Sequence, residues 1–415
     1  MREFYYECFE CGELFQPVGH MIECSECGGL LQYFYPGVKV RRFSDLVLPF
    51  MKGVWVFQKV LPIRWVHTNA VSLGEGGTPL GLSKPVINFA GLDNVAVYLK
   101  NEMLNPTGTF KDRGSTVSLS VFKERNISEI SLASLGDTSI SYAVYNKDAG
   151  RRIVVFSPLQ QPIADGGENM VTVSVRGGLH DAEAIAKDFA DKTGFVFDGG
   201  FKNPNMTAGL ETLAYEMVVQ LYQKYGKRLN EMVEKGKVWY VHPTSSGSTL
   251  IAWYQALDRM NEWGLLKGFI RLVCVQPEGC PSIVDPALKK LKKLEAPIKS
   301  ETWVKELEVE WPKESYPYVR YVVSESDGLF CKVKEKSVRG VYCLSEELFD
   351  VQVSASTAVS LAAIAELSSN FERGDLVIVS LTCGEQTQEI SKGRAVGPVS
   401  TTTSIEELIE KHLNL

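Results

Sequence analysis

The sequence lacks several features that mark whole classes of protein. No apolar run approaches the roughly 20 residues that a membrane-spanning helix needs. The formal net charge of −6 leaves no excess of positive charge for binding nucleic acid or an anionic membrane. The first six residues lack the apolar stretch of a secretory signal peptide. We therefore expect a cytoplasmic protein that binds neither nucleic acid nor membranes.

The chain also lacks a disulfide framework, because its nine cysteines are few for 415 residues and unevenly spread. Four of them form two Cys-x2-Cys-Gly turns, which let four thiolates converge as they do in a closed, tetrahedral Zn²⁺ site. Two disulfides or spare thiols fit this spacing less well. The predicted zinc ligands are Cys8, Cys11, Cys24 and Cys27. Residues 1–36 carry six glutamates and one arginine, so we predict a structural zinc ribbon that packs on the main body or on a second subunit.

The rest of the chain has the composition of a globular protein, with 45% hydrophobic and 23% charged residues, and is long enough for two or three domains. From about residue 95 onwards, β-branched runs alternate with helical patterns, which predicts a mostly parallel sheet covered by helices on both faces. We predict strands at 95–100, 130–133, 151–156, 171–175, 238–241, 270–275 and 375–381, and helices at 115–123, 181–190 and 206–225. Ligands of such sheets bind at the carboxyl ends of the strands. Loops at 105–114, 134–139, 244–249 and 382–387 follow strands and would meet there.

One lysine lies in the first of these loops. Residues 105–114 read Asn-Pro-Thr-Gly-Thr-Phe-Lys-Asp-Arg-Gly, which places Lys111 where turn chemistry gives way to a helix. The helix N-terminus disfavours an ammonium group and would lower the pKa of this lysine. A lysine so placed is a candidate nucleophile for a carbonyl cofactor. Its position alone is more typical of a solvated lysine, so the interpretation depends on the neighbouring loops.

A second loop has the chemistry of a phosphate cradle. Residues 245–249, Ser-Ser-Gly-Ser-Thr, follow a predicted strand and begin a helix, where backbone N–H groups and hydroxyls can bind an anion. The loop does not end in the Gly-Lys-Ser/Thr of a Walker motif. An ordinary strand–helix turn is the alternative.

Together these loops resemble those of the fold-type II pyridoxal-phosphate enzymes, most closely the threonine synthases. Residues 105–114 are similar to the cofactor-lysine motif of that family at nearly every position. The glycine-rich segment 73–80 resembles an early family segment, and 134–139 resembles the loop that receives the substrate carboxylate. Residues 245–249 take the place of the phosphate cradle, and 382–384 the place of the C-terminal contacts to the cofactor ring.

The resemblance implies two open, mostly parallel sheets flanked by helices, a homodimer, and bound pyridoxal phosphate. Residues 37–95 and 200–415 would form the large cofactor-binding domain, and 96–199 a small mobile α/β domain. Lys111 would bind the cofactor aldehyde covalently and act as acid and base at the substrate Cα. The implied cofactor contacts are Phe110, Lys111, Asp137, Ser245, Ser246, Gly247, Ser248, Thr249 and Thr382. The implied substrate contacts are Ser134, Gly136, Thr138, Ser139 and Asn203.

The chain departs from the family pattern on the substrate side. Asp137 stands where the family usually has asparagine, so either one proton should be shared between this carboxylate and the ring hydroxyl of the cofactor or that hydroxyl should stay neutral. Leu135 replaces a usual hydroxyl residue. Met206, Ala208 and Glu211 stand where the threonine synthases have charged residues.

We therefore predict a lyase or transferase that acts at Cβ or Cγ of an activated, O-phosphorylated amino acid, with threonine formation from O-phosphohomoserine as the nearest family activity. One alternative is β-replacement on O-phosphoserine, as in cysteate or cysteine synthases. An alternative of another class is a non-catalytic scaffold with a zinc head. Residues 285–345 are rich in charges and aromatics and are expected to be a surface insertion; a lid or a subunit contact is the alternative.

Overall fold

The computed structural model describes residues 3–147, 149–159, 161–384 and 394–410. Within these ranges the strands, in chain order, are β1 Tyr5–Cys8, β2 Leu14–Phe15, β3 Leu31–Phe34, β4 Leu80–Leu82, β5 Ala96–Asn101, β6 Glu129–Ala133, β7 Arg152–Pro158, β8 Met170–Val175, β9 Val196–Phe197, β10 Val238–Pro243, β11 Arg271–Pro277, β12 Leu329–Val333, β13 Leu376–Leu381 and β14 Ala395–Val399.

The helices of the same ranges are α1 Phe43–Leu46, α2 Val66–Asn69, α3 Lys84–Phe89, α4 Asp112–Glu124, α5 Asp137–Asn146, α6 Leu179–Thr193, α7 Pro204–Tyr225, α8 Arg228–Glu234, α9 Ser248–Glu262, α10 Val284–Leu288, α11 Tyr316–Glu325, α12 Glu335–Phe349, α13 Ala355–Glu366 and α14 Ile405–Leu408. Short 3-10 helices lie at Gly53–Val60, Glu102–Leu104, Gly167–Asn169, Gly200–Lys202, Lys305–Leu307 and Ser368–Asn370. Among the described residues, no helix is long and apolar enough to cross a membrane.

Two sheets form the body of the molecule. The larger has the strand order β12-β11-β10-β13-β5-β4, with only β4 antiparallel to its neighbour. The smaller has the order β14-β8-β7-β6-β9, and its strands are all parallel. Every residue of β10 and β13 is buried, as expected of strands that helices cover on both faces. The predicted α/β architecture of mostly parallel sheets is confirmed.

The strands do not divide between the sheets at the predicted boundaries. The segment 96–199 was assigned to the small domain, yet β5 pairs with β13 in the larger sheet. The strand 375–381 was predicted to be the last, yet β14 follows it and joins the smaller sheet beside β8. Local sequence gives strand propensity but does not identify the strand's partners. The division into two domains and the mobility of one of them remain predictions.

Close packing of two helices fixes the position of the lysine loop. A Cβ on Gly209 of α7 would lie 2.1 Å from the backbone oxygen of Arg113, and one on Gly114 of α4 would lie 1.9 Å from Sδ of Met206. A side chain at Gly209 would displace the backbone of α4, and one at Gly114 would displace the side chain of Met206. The first turn of α4, which begins one residue after Lys111, is therefore held against α7.

Residues 285–345 are not simply the surface insertion that was expected. Their strand β12 extends the larger sheet beside β11, and Val333 at its end is fully buried. Their helix α11 packs on α9. Charged and apolar residues are interleaved in this segment, which obscured a five-residue strand in the sequence.

Candidate active site

A cleft opens where loops from both sheets meet. It lies beyond the carboxyl ends of the parallel strands, as the topology predicts. The predicted residues that line it are Phe110, Lys111, Ser134, Asp137, Thr138, Ser245, Ser246, Gly247, Ser248, Thr249 and Thr382. Residues 385–387 of the fourth predicted loop lie outside the described part of the chain.

Three predicted substrate contacts are not among the lining residues. Gly136 is buried at the N-cap of α5, and the hydroxyl of Ser139 donates to its backbone oxygen at 2.7 Å. Asn203 is fully buried and caps α7 by accepting hydrogen bonds from the next helical N–H groups. Its amide donates to Asp198 at 2.8 Å. The side chain of Asn203 therefore supports the wall of the cleft instead of facing it.

Lys111 stands at the N-cap of α4 with its ammonium group inside the cleft. Its Nζ lies 4.9 Å from the centroid of the Phe110 ring. Burial lowers the pKa of Lys111, while the carboxylates of Asp137 and Asp198 act in the opposite direction. The predicted direction of the pKa shift is confirmed. Its main cause is desolvation, which favours the neutral amine over the ammonium form.

The residues after Lys111 hold its loop in place. The Asp112 carboxylate accepts hydrogen bonds from the backbone N–H and hydroxyl of Thr107, at 2.8 and 2.5 Å, and from Ser141 Oγ at 2.6 Å. The fully buried Arg113 donates to Glu102 at 2.6 Å and to Glu216 at 3.0 Å. This network ties the start of α4 to the 3-10 helix that follows β5 and to α7.

The glycine-rich segment 73–80 also donates hydrogen bonds to the acidic residues of this network. The backbone N–H of Gly77 donates to Glu216 at 2.8 Å, and that of Gly76 donates to Asn105 Oδ1 at 2.9 Å. The hydroxyl of Thr78 donates to Glu102 at 2.5 Å. The segment that resembles an early family motif therefore supports the lysine loop, and it does not line the cleft.

The loop from β10 to α9 has the geometry of an anion cradle. Gly247 has φ of +91°, and a Cβ there would lie 2.1 Å from Val319 Cγ2, so only glycine fits. Within the described chain, the backbone N–H groups and hydroxyls of Ser245, Ser246, Ser248 and Thr249 have no hydrogen-bond partner. Unpaired donors at the first turn of a helix are what a phosphate group requires. The loop therefore fits the phosphate of pyridoxal phosphate.

Two neutral side chains, those of His242 and Thr382, also line the cleft. His242 packs edge-on against Phe110 at 5.5 Å, and burial together with the charge of Lys111 lowers the pKa of His242 to about 3. The hydroxyl of Thr382 lies 3.1 Å from the hydroxyl of Thr357. The backbone oxygen of Thr382 accepts a hydrogen bond from the Phe110 N–H at 2.9 Å. A neutral hydroxyl at the place of the cofactor ring fits the family pattern. His242 was not predicted to line the site. A polar residue at the carboxyl end of a buried strand is a signal that could have identified it.

Three further acidic residues line the cleft and were also missed. Burial raises the pKa of Asp198 to about 6 and those of Glu183 and Glu306 to about 7. Asp198 directly follows β9, so the strand-end rule could have found it. Glu183 lies in the middle of α6, and Glu306 lies in the segment 285–345. Neither has a local sequence signal, because tertiary packing alone brings them to the cleft.

The N-terminal cysteines form a separate cluster. The Sγ atoms of Cys8 and Cys27 are 3.5 Å apart, those of Cys11 and Cys24 are 3.8 Å apart, and those of Cys11 and Cys27 are 3.6 Å apart. Four sulfurs bound tetrahedrally to Zn²⁺ at about 2.3 Å are separated by about 3.8 Å. The four thiols lie within 4.8 Å of one another and fit such an ion.

The ribbon packs on the main body, which was one of the two predicted arrangements. His20 bonds through Nε2 to the backbone oxygen of Asp198 at 2.9 Å. The Tyr33 hydroxyl donates to Asn205 Oδ1 at 2.6 Å and accepts from Arg125 at 2.9 Å. The ribbon therefore contacts residues directly behind the wall of the cleft.

Comparison with known proteins gives the family. The model of the pyridoxal-phosphate dependent enzyme family matches residues 71–384, which is most of the chain. The chain belongs to this family, and pyridoxal phosphate is its cofactor. The predicted enzyme class is confirmed, and nothing favours the non-catalytic scaffold.

Similar proteins refine this assignment. The threonine synthase of Methanocaldococcus jannaschii is 27% identical over 295 residues, which cover 69% of this chain and 68% of that protein. The threonine synthase of Methanosarcina acetivorans is 25% identical over 390 residues, which cover 92% and 91% of the two chains. The structure of maize serine racemase matches with a TM-score of 0.59 and 18% identity, covering 74% of this chain and 88% of that one. The chain is a threonine synthase-like, pyridoxal-phosphate-dependent lyase with the predicted fold-type II architecture.

Proposed function

We propose that this enzyme catalyses elimination or replacement at Cβ or Cγ of an amino acid with an activated side chain. The observation that carries the proposal is the single cleft in which Lys111 faces the unpaired donors of residues 245–249. Bound there, pyridoxal phosphate withdraws electrons from the substrate Cα. Lys111 holds the cofactor and moves the proton at Cα, a role that its lowered pKa favours.

The loop 134–139 is proposed to bind the substrate carboxylate. The hydroxyl oxygen of Ser134 accepts hydrogen bonds from the backbone N–H groups of Gly136 and Ser139, each at 3.1 Å. These bonds fix the shape of the turn before α5. The backbone N–H groups of Asp137 and Thr138 begin the helix and have no partner among the described residues. Two free donors at a helix N-terminus orient a carboxylate.

Asp137 is proposed to lie beside the ring hydroxyl of the cofactor. Burial raises the pKa of Asp137, and the charge of Lys111 opposes this shift. A raised pKa makes it easier for the carboxyl group to share a proton with a phenolate. The carboxyl group of Asp137 could therefore exchange a proton with the ring and change its charge. The neutral asparagine that is usual in the family cannot do this.

Incubation of the purified holoenzyme with activated amino acids tests the reaction class. The panel contains O-phosphohomoserine, O-phosphoserine with sulfide or sulfite, homoserine and serine derivatives without phosphate, and the diamino acids 2,3-diaminopropionate and 2,4-diaminobutyrate. We expect release of the side-chain substituent from at least one of them, measured as phosphate, ammonia or oxo-acid production. No release from any of them, together with an unchanged visible spectrum, would contradict the proposed function.

We further propose that the four cysteines hold one structural Zn²⁺ and that the protein is a cytoplasmic homodimer. The sulfur geometry supports the metal site. The nine cysteines form no disulfide bond, which is usual in a reducing compartment. The dimer is supported by the family resemblance, and sedimentation of the holoenzyme tests it.

Substitution in the cysteine cluster tests the metal site. We expect Cys11→Ser to lower the zinc content, measured by elemental analysis, from about one ion per chain to a small fraction of that, because a closed site needs all four thiolates. The control is Cys343→Ser, which changes an exposed cysteine on α12. Equal zinc content in both variants would argue against the site.

A further inference from the structure

The cleft contains more negative than positive side chains. Asp137, Glu183, Asp198 and Glu306 all line it. Lys111 is the only lysine or arginine among its described lining residues, and the cofactor occupies that group in the proposed function. His242 is held neutral by its surroundings. The side-chain end of a substrate therefore meets carboxylates and no free cation in the described lining.

Two of these carboxylates have no side-chain hydrogen-bond donor among the described residues, and only the charge of Lys202 favours ionisation of Glu183. Asp198 accepts hydrogen bonds from Tyr142 at 2.7 Å and from Asn203 at 2.8 Å, so it belongs to the wall. Glu183 has no hydrogen-bond partner among the described residues, and Glu306 has only its own backbone N–H. Both side chains are half-buried, and a partly desolvated carboxylate is stabilised when a cation joins it.

The positions where a phosphate group would need cations hold other residues. Met206 lines the cleft with a neutral side chain. Glu211 of the same helix points away from the cleft into a buried ion pair with Arg259. Lys202, in the adjoining cavity beyond Glu183, is paired with Glu23 at 3.1 Å and with Glu314 at 2.6 Å.

We propose that the substrate is an α-amino acid whose side chain ends in a positively charged amine, and that Glu183 and Glu306 select it. The inference rests on the proposed function and specifies the substrate class of the same cleft. It departs from the O-phosphorylated substrate that the resemblance implies, because a dianion beside several carboxylates is repelled whereas an ammonium group is attracted. The raised pKa values of Glu183 and Glu306 agree with a site that lacks a positive charge until a cationic ligand binds.

A matched series of ligands tests the charge preference. The holoenzyme is titrated with 2,4-diaminobutyrate, homoserine and O-phosphohomoserine, and with 2,3-diaminopropionate, serine and O-phosphoserine, while the visible absorption of the bound cofactor reports binding. We expect each diamino acid to bind at least about tenfold more tightly than its phosphorylated counterpart, a difference of about 1.4 kcal/mol. Tighter binding of the phosphorylated member in both sets would overturn the inference and leave the proposed function intact.

Substitution of the selecting carboxylates completes the test. The double variant Glu183→Gln, Glu306→Gln is expected to narrow the preference to less than about threefold, because both charges are removed at nearly constant side-chain volume. The control is Glu301→Gln, whose side chain is 76% exposed in the same segment of the chain and should keep the wild-type preference. An unchanged preference in the double variant would refute the assigned role. If no ligand of either charge alters the absorption, both the inference and the proposed function fail.

Discussion

Lys111→Ala is expected to yield a protein without the visible absorption of covalently bound pyridoxal phosphate and without measurable turnover. Lys111 is the only lysine among the described residues that line the cleft, so no other side chain there can attack the cofactor aldehyde. It would also move the proton at Cα, so its removal affects both binding and chemistry. The expected loss of turnover is at least about 10³-fold, within the range of lost nucleophilic and acid–base catalysis.

The control for this variant is Lys123→Ala, in the last turn of the same helix. Lys123 is exposed and lies far from the cleft along α4, so its replacement should leave absorption and turnover unchanged. Circular dichroism of the three proteins checks that the fold is kept. Wild-type absorption in the Lys111→Ala protein would show that the cofactor lysine lies elsewhere.

Arg113→Met is expected to cause the largest loss of stability. The guanidinium of Arg113 is fully buried and joins Glu102 and Glu216, whose side chains are 0% and 8% exposed. Removing the cation leaves buried negative charge that Lys100 alone must balance. Breaking a buried ion network in this way costs about 3–5 kcal/mol. Urea unfolding followed by fluorescence gives the change in the free energy of unfolding.

Arg152→Met is the matched control, because Arg152 pairs with Glu129 at 2.6 Å on the surface, with side chains 48% and 36% exposed. Its loss should cost less than about 1 kcal/mol. Arg113→Lys should fall between the two variants, since it keeps the charge but loses the planar fork of donors. Equal destabilisation by Arg113→Met and Arg152→Met would contradict the structural role of the buried network.

The sequence predicts those parts of the site that depend on neighbouring residues. The loop around Lys111 and the cradle at 245–249 each combine a strand end, turn residues and a helix start within about ten positions. Both therefore appear in the structure where they were predicted. The Cys-x2-Cys turns are similarly local, and their sulfurs converge.

The parts that sequence reasoning missed depend on packing between distant segments. Glu306 reaches the cleft only because β12 extends the larger sheet and brings the segment before it against the site. The pairing of β14 with β8 joins residues that are more than 200 positions apart. No periodicity within either segment carries that information.

Asn203 illustrates a local signal that the family resemblance outweighed. It was predicted to contact substrate, yet it caps α7, with Pro204 at the first helical position. Asparagine before proline is a common start of a helix, so the capping role was readable from the sequence. Weighing that local signal against the family resemblance would have given the observed role.

The central claim is that Lys111 binds pyridoxal phosphate covalently in the cleft between the two sheets. Reduction of the purified holoenzyme with borohydride, followed by proteolysis and mass spectrometry, tests this claim most directly. The predicted result is a single reduced adduct on the peptide that contains Lys111. An adduct on any other lysine, or no adduct in a protein that carries the cofactor, would contradict it.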